Sequence, residues 1–201
     1  MTASARPRVA VGCADHTGWA VLVTLAGDPT AMRVVDRRRV ELVSATLPRM
    51  AYHAAAQGPR PDAARLIAEV EASALEVSTS QLRSLLADLD ALGVDAVGIA
   101  VAAAGEVPAD LDVLLTKHPL LHAAEGALYR EALVEAAAAL GLPVTRFEHR
   151  DAVSQAAGSL GLPAGTLTTR LTDLRRELGA PWNADHRSAA ASALLTLGAT
   201  R

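Results

Sequence analysis

Only one cysteine, Cys13, occurs in the 201 residues, so no intramolecular disulfide can form and a reducing cytoplasm is the expected compartment. Aromatic residues make up 2% of a chain that is 51% hydrophobic, which excludes a core built on large rings and requires one of alanine, valine and leucine packed closely. The formal net charge of −3 removes any global attraction to nucleic acid or an anionic membrane, so contact with a polyanion must be local. No apolar run reaches the roughly 18–20 residues that span a bilayer. Asp15 and His16 interrupt the first candidate, and the polar stretch 105–112 bounds the second. No membrane partner is expected, no charged-then-apolar signal precedes Arg8, and Met1 to Pro7 reads as a disordered leader to a single domain over residues 8–198.

What is present is organised around Arg8 to Leu25, RVAVGCADHTGWAVLVTL, two valine-rich runs on either side of a polar turn. They predict a strand and a returning strand with Asp15 at the end of the first. Ala26 to Thr30 carries the Gly, Asp and Pro of a reversal, and Met32 to Val43 predicts a third strand. Its run Arg37, Arg38, Arg39 must alternate between faces, as a solvated edge or as a small phosphate-facing patch. Residues 47–62 hold Pro48, Pro59, Pro61 and Gly58 and predict an irregular connection able to act as a lid.

Leucines at three- and four-residue spacing from 63 to 92 predict amphipathic helix, broken near Ser78 to Ser80 and ended by Gly93. Val94 to Ala104 is apolar on both faces, as a central strand requires. A loop over 105–117, a helix over 118–140, a short strand over 143–147 and three helices over 152–160, 166–178 and 185–197 complete the chain. A meander of strands followed by alternating strand and helix predicts an α/β fold with a mixed sheet covered on both faces.

That order of elements is similar to the ribonuclease H-like superfamily, and within it the chain most resembles the RuvC-type Holliday junction resolvases. VGCADHTGWAVL resembles the first hairpin of that family, with Asp15 at its first metal-binding acid. Leu82 to Val101 resembles its helix leading into the fourth strand, although the family's glutamate position falls on Ala100 or Val101. Asp185 to Leu194 resembles the alanine-rich last helix, where Asp185 matches one acid and Ser188 stands at the next. The resemblance implies a five-stranded ribonuclease H-like domain and a Mg²⁺- or Mn²⁺-dependent phosphodiesterase acting on nucleic acid. Asp15 and Asp185 would hold the ion, completed by Glu106, His186 or Glu125, and a homodimer through alanine-rich helices would fit. With two of four acids present, a catalytically silent module that binds protein or nucleic acid is the alternative.

Independently of the resemblance, His118, His122 and Glu125 recur at i, i+4 and i+7 on one face of a helix start, a spacing at which imidazoles can ligate a transition metal. The competing reading is a helix cap and hydrogen bonds to a neighbour. His16 and His186 each follow one of the matched acids, which suggests a shared polar pocket with a proton-shuttling histidine. For Asp185, capping of the last helix is the competing role. Cys13, inside the first strand, is expected to be packing.

Overall fold

The computed structural model describes residues 5–28 and 31–199. Residues 1–4 of the expected leader and residues 29–30 of the expected reversal lie outside the described residues. Strands β1 (Arg8–His16), β2 (Trp19–Ala26) and β3 (Arg33–Glu41) form the antiparallel meander, and β4 (Asp95–Ala102) and β5 (Val144–Phe147) add in parallel, giving the order β3-β2-β1-β4-β5. The helices are α1 (Ala51–Gln57), α2 (Ala63–Ala91), α3 (Leu111–Leu114), α4 (His118–Ala139), α5 (Ala152–Ser159), α6 (Ala164–Leu178) and α7 (Ala184–Ala199). No helix among the described residues is long and apolar enough to cross a membrane.

Strand alternation divides the core in two. Val9, Val11 and Cys13 of β1 pack with Leu85 and Leu89 of α2 and Tyr129 and Leu133 of α4. Ala10 and Ala14 point the other way, into a layer built from Phe147, Leu167, Leu171, Trp182 and the alanines of α7. Small residues are what allow α7 to lie so near the sheet. Ala189, Ala190, Ala191 and Ala193 are buried within the chain itself, so the alanine-rich last helix is not a free dimerisation face.

Several local expectations change. The connection over 47–62 contains α1, whose first N–H groups are capped not by a neighbour in sequence but by Glu125 of α4. Helix α2 runs without a break through Ser78 to Ser80: Ser78 is buried and the Thr79 hydroxyl donates to the Leu75 carbonyl at 2.7 Å, so the polar residues are absorbed in a helix that holds no Gly or Pro. The loop over 105–117 holds the one-turn α3, capped by the Asp110 side chain. Arg6, assigned to the leader, pairs with Asp90 at 2.7 Å, and the Pro7 carbonyl accepts from Asp95 N–H, tying this segment to β4.

The three arginines form no phosphate patch. Arg37 donates to the carbonyls of Leu178 at 2.7 Å and Pro181 at 2.8 Å, and Arg38 pairs with Asp36 and Asp88. Arg39 lies 4.2 Å over the Trp19 ring and pairs with Glu41. All three guanidinium groups are thus used to fasten the sheet edge to the last third of the chain, to α2 and to β2.

Candidate functional site

The carboxyl ends of β1, β4 and β5 open together, and in a parallel α/β arrangement this is where ligands bind. Asp15 stands at the end of β1, on the same side of the strand as Val9, Val11 and Cys13, and so faces α4. There its Oδ2 accepts from Arg130 Nε at 2.8 Å, a pair whose side chains are 4% and 14% exposed. Oδ1 is buried and accepts no hydrogen bond, with His149 Nδ1 at 3.7 Å. His16, one residue on, follows Ala14 to the α7 side, where it stacks on Trp19 with centroids 4.0 Å apart and places Nε2 3.2 Å from Asp185 Oδ1. A cavity of about 260 Å³ separates the two acids, lined by Cys13, Asp15, His16, His149, Asp185 and Ser188.

The two matched acids therefore reach one cavity, but from opposite faces of the sheet, and each already has a cationic or ionisable partner. The other expected members do not join them. Glu106 is exposed on the loop after β4 and does not line the cavity. His186 turns inward: its Nδ1 lies 2.7 Å from Asn183 Oδ1, and its ring leans against Trp182. Asn183 rather than Asp185 accepts the first-turn N–H of α7, from His186. Ala100 and Val101 are wholly buried core residues of β4. Cys13 is buried, and desolvation, aided by Asp15, pushes its thiol well above the ordinary range, which leaves it un-ionised and inert. Arg130 is the residue that sequence reasoning missed, since nothing in the pattern of α4 marks it as an Asp15 partner, whereas His149 reads in the sequence as part of an ordinary charged turn after the fifth strand and stands near Asp15 in the structure.

A two-ion carboxylate site requires several acids converging on ions about 3.5–4 Å apart. The donor set here does not fit one: two carboxylates, split between faces, with a guanidinium on the first. Among the described residues, the grouping of three or more His, Cys, Asp or Glu donors lies elsewhere, at His53, His118 and His122.

That cluster corrects the sequence-derived triad. His118 and His122 are on the exposed face of the first turns of α4, as their spacing requires, but Glu125 is 1% exposed and faces α1. Its Oε1 accepts from the N–H groups of Tyr52 at 2.9 Å and His53 at 3.2 Å, and Oε2 from that of Ala51 at 3.1 Å. Oε1 also lies 3.3 Å from His53 Nδ1. Glu125 is thus a helix cap supplied from a distance, and His53 takes its place beside the two histidines.

A second opening of about 530 Å³ adjoins the first through His149 and is lined by His122, Arg130, Glu148, His149, Arg150 and Asp151. His149 is held below its usual range by burial first, then by Arg130, Arg150 and His16, against the pull of Asp15. His186 is lowered by burial and by Arg37, against Asp185. A histidine whose folded-state value is depressed takes up its proton in the unfolded chain first, at about pH 6.5, so folding stability falls as pH drops through that value. Urea midpoints are expected to be lower at pH 5.5 than at 7.5, and His186→Gln is expected to narrow the difference. An unchanged difference would remove His186 from the acid response.

No family model matches the sequence, and no curated protein matches it. Solved structures do, two of RuvC among them. The RuvC of Thermus thermophilus in complex with a Holliday junction substrate superposes with a TM-score of 0.57 at 16% identity, covering 96% of this chain and 95% of that one. A second structure, of Thermus thermophilus RuvC, gives 0.56 at 14% identity with the same coverage. The mixed five-stranded sheet with helices on both faces is a ribonuclease H-like fold. Within that class its likeness to the RuvC fold extends over nearly the whole length of both chains.

Proposed function

We propose that this chain is a catalytically silent RuvC-type module that binds nucleic acid through the crevice at the carboxyl ends of β1, β4 and β5. The observation that carries the reading is the buried Asp15–Arg130 ion pair, which commits the first acid to a guanidinium on the face away from Asp185. In the adjoining opening, beside Glu148 and Asp151, Arg150 adds a guanidinium that Asp15 does not neutralise, a local phosphate contact for a chain of negative net charge. The complex of the similarly folded Thermus RuvC with a Holliday junction makes branched DNA the first ligand to test.

The test is fluorescence anisotropy with a labelled four-way junction and a matched duplex at low salt, in EDTA and in Mg²⁺ or Mn²⁺. The expected result is binding that is indifferent to the metal, weakens in Arg150→Ala with a shallower salt dependence, and leaves the DNA uncut. Absence of binding to either DNA overturns the proposal. The second reading, a phosphodiesterase with Mg²⁺ or Mn²⁺ on Asp15 and Asp185, is favoured by the buried Oδ1 of Asp15 that accepts no hydrogen bond. Mn²⁺ binding by calorimetry that disappears in Asp15→Asn, together with cleavage, would establish it in place of the first.

A further inference from the structure

We propose that His53, His118 and His122 form a transition-metal site of the zinc class, with Glu125 as the residue that positions His53. One donor nitrogen from each ring lies within 4.8 Å of those of the other two, and the ring centroids are 4.5–5.3 Å apart. Proximity of exposed imidazoles is common, and the buried member is what distinguishes this group. The His53 side chain is 13% exposed, and its Nε2 is buried with no hydrogen-bond partner. Leaving such an atom unsatisfied is unfavourable, a cost removed when it becomes a ligand.

The tautomer follows from Glu125. Both its oxygens accept backbone N–H bonds, so at Oε1 the carboxylate is an acceptor and His53 Nδ1 carries the proton. Nε2 is then a lone pair directed away from Glu125. A carboxylate on one nitrogen of a ring whose other nitrogen binds metal is the usual outer-sphere arrangement, fixing orientation and raising ligand basicity. Zn–N bonds of about 2.0–2.1 Å in a tetrahedral shell require the rings to draw together slightly. His118 and His122 are exposed, whereas His53 is held by Glu125. Three imidazoles select Zn²⁺, Co²⁺, Ni²⁺ or Cu²⁺ over Mg²⁺, which prefers oxygen. The remaining position is left to water. Bound there, the ion would tie the start of α1 to the first two turns of α4, independently of the Asp15 cavity.

The experiment uses untagged full-length protein stripped with EDTA and titrated with Co²⁺. The expected result is one equivalent bound with visible d–d absorption, displaced by Zn²⁺, and a Zn²⁺-dependent rise in Tm. His122→Ala, on the exposed surface, should fold as wild type by circular dichroism and lose the Co²⁺ spectrum and the Tm response. Asp15→Asn should keep both, separating this site from the acids. Glu125→Gln should weaken binding about 10- to 100-fold. No Co²⁺ spectrum in wild type, or full binding by His122→Ala, overturns the site. Unchanged affinity in Glu125→Gln overturns the positioning role.

Discussion

Gly12→Ala is expected to abolish or nearly abolish folding, with a loss above about 4 kcal/mol, at the far end of what single substitutions do. A Cβ at position 12 would lie 1.7 Å from the Ala189 carbonyl oxygen and 2.6 Å from both Ala193 N and Ser192 Oγ. Two of these are backbone atoms of α7, so no rotamer change relieves the clash and the helix must lift from the sheet. Lifting it separates the fully buried Ala189, Ala190 and Ala193 from β1 and β4. It also breaks the bond from Cys13 N–H to Ser192 Oγ at 3.2 Å. Against a total stability of about 5–15 kcal/mol for a domain, that loss is close to the whole. Gly105→Ala, with nothing within 4 Å of its Cβ, should stay within about 0.5 kcal/mol of wild type. Urea denaturation of the pair decides the matter: coincident transitions for Gly12→Ala and wild type would mean that α7 does not seat on β1 this closely.

Arg130→Ala is the second large effect, expected to cost about 3–5 kcal/mol, the range for removing one partner of a buried ion pair. It leaves Asp15, whose side chain is 4% exposed, with neither oxygen hydrogen-bonded to a side chain and only His149 Nδ1 nearby at 3.7 Å. The damage arises from the stranded carboxylate rather than from the lost attraction. Adding Asp15→Asn to Arg130→Ala should therefore recover a substantial part of the stability, and a double-mutant cycle gives the coupling directly. A single Arg130→Ala variant within 0.5 kcal/mol of wild type would show that the pair is not desolvated and would weaken the case that Asp15 serves structure rather than metal.

The two substitutions bear on one question, how β1 divides its residues between the two layers that cover it. Asp15 follows Gly12 by an odd number of positions, so it cannot share Gly12's α7-facing side of β1. His16 is the polar residue delivered to that side, and it is His16 that meets Asp185.

Much of this was legible in the sequence because local rules suffice for it. The valine-rich hairpin, the central apolar strand and the leucine spacing of α2 and α4 fixed the order of elements, and that order carried the resemblance to the right fold. Helix α1 was hidden because its cap, Glu125, is distant in sequence and its own flanks are rich in proline. The break expected at Ser78 to Ser80 followed propensity alone, which burial against α4 overrides.

By itself, then, the sequence determined the strands, most of the helices and the helical face bearing His118 and His122. Only the tertiary structure decided which face of β1 meets α4, and with it the pairing of Asp15 with Arg130. It alone brought His53 beside the other histidines and turned Glu125 from ligand to cap. The physical reason is that β1 is apolar on both sides, so its alternation is silent about which helix each side will meet. Contacts between residues far apart in the chain leave no local periodicity to read.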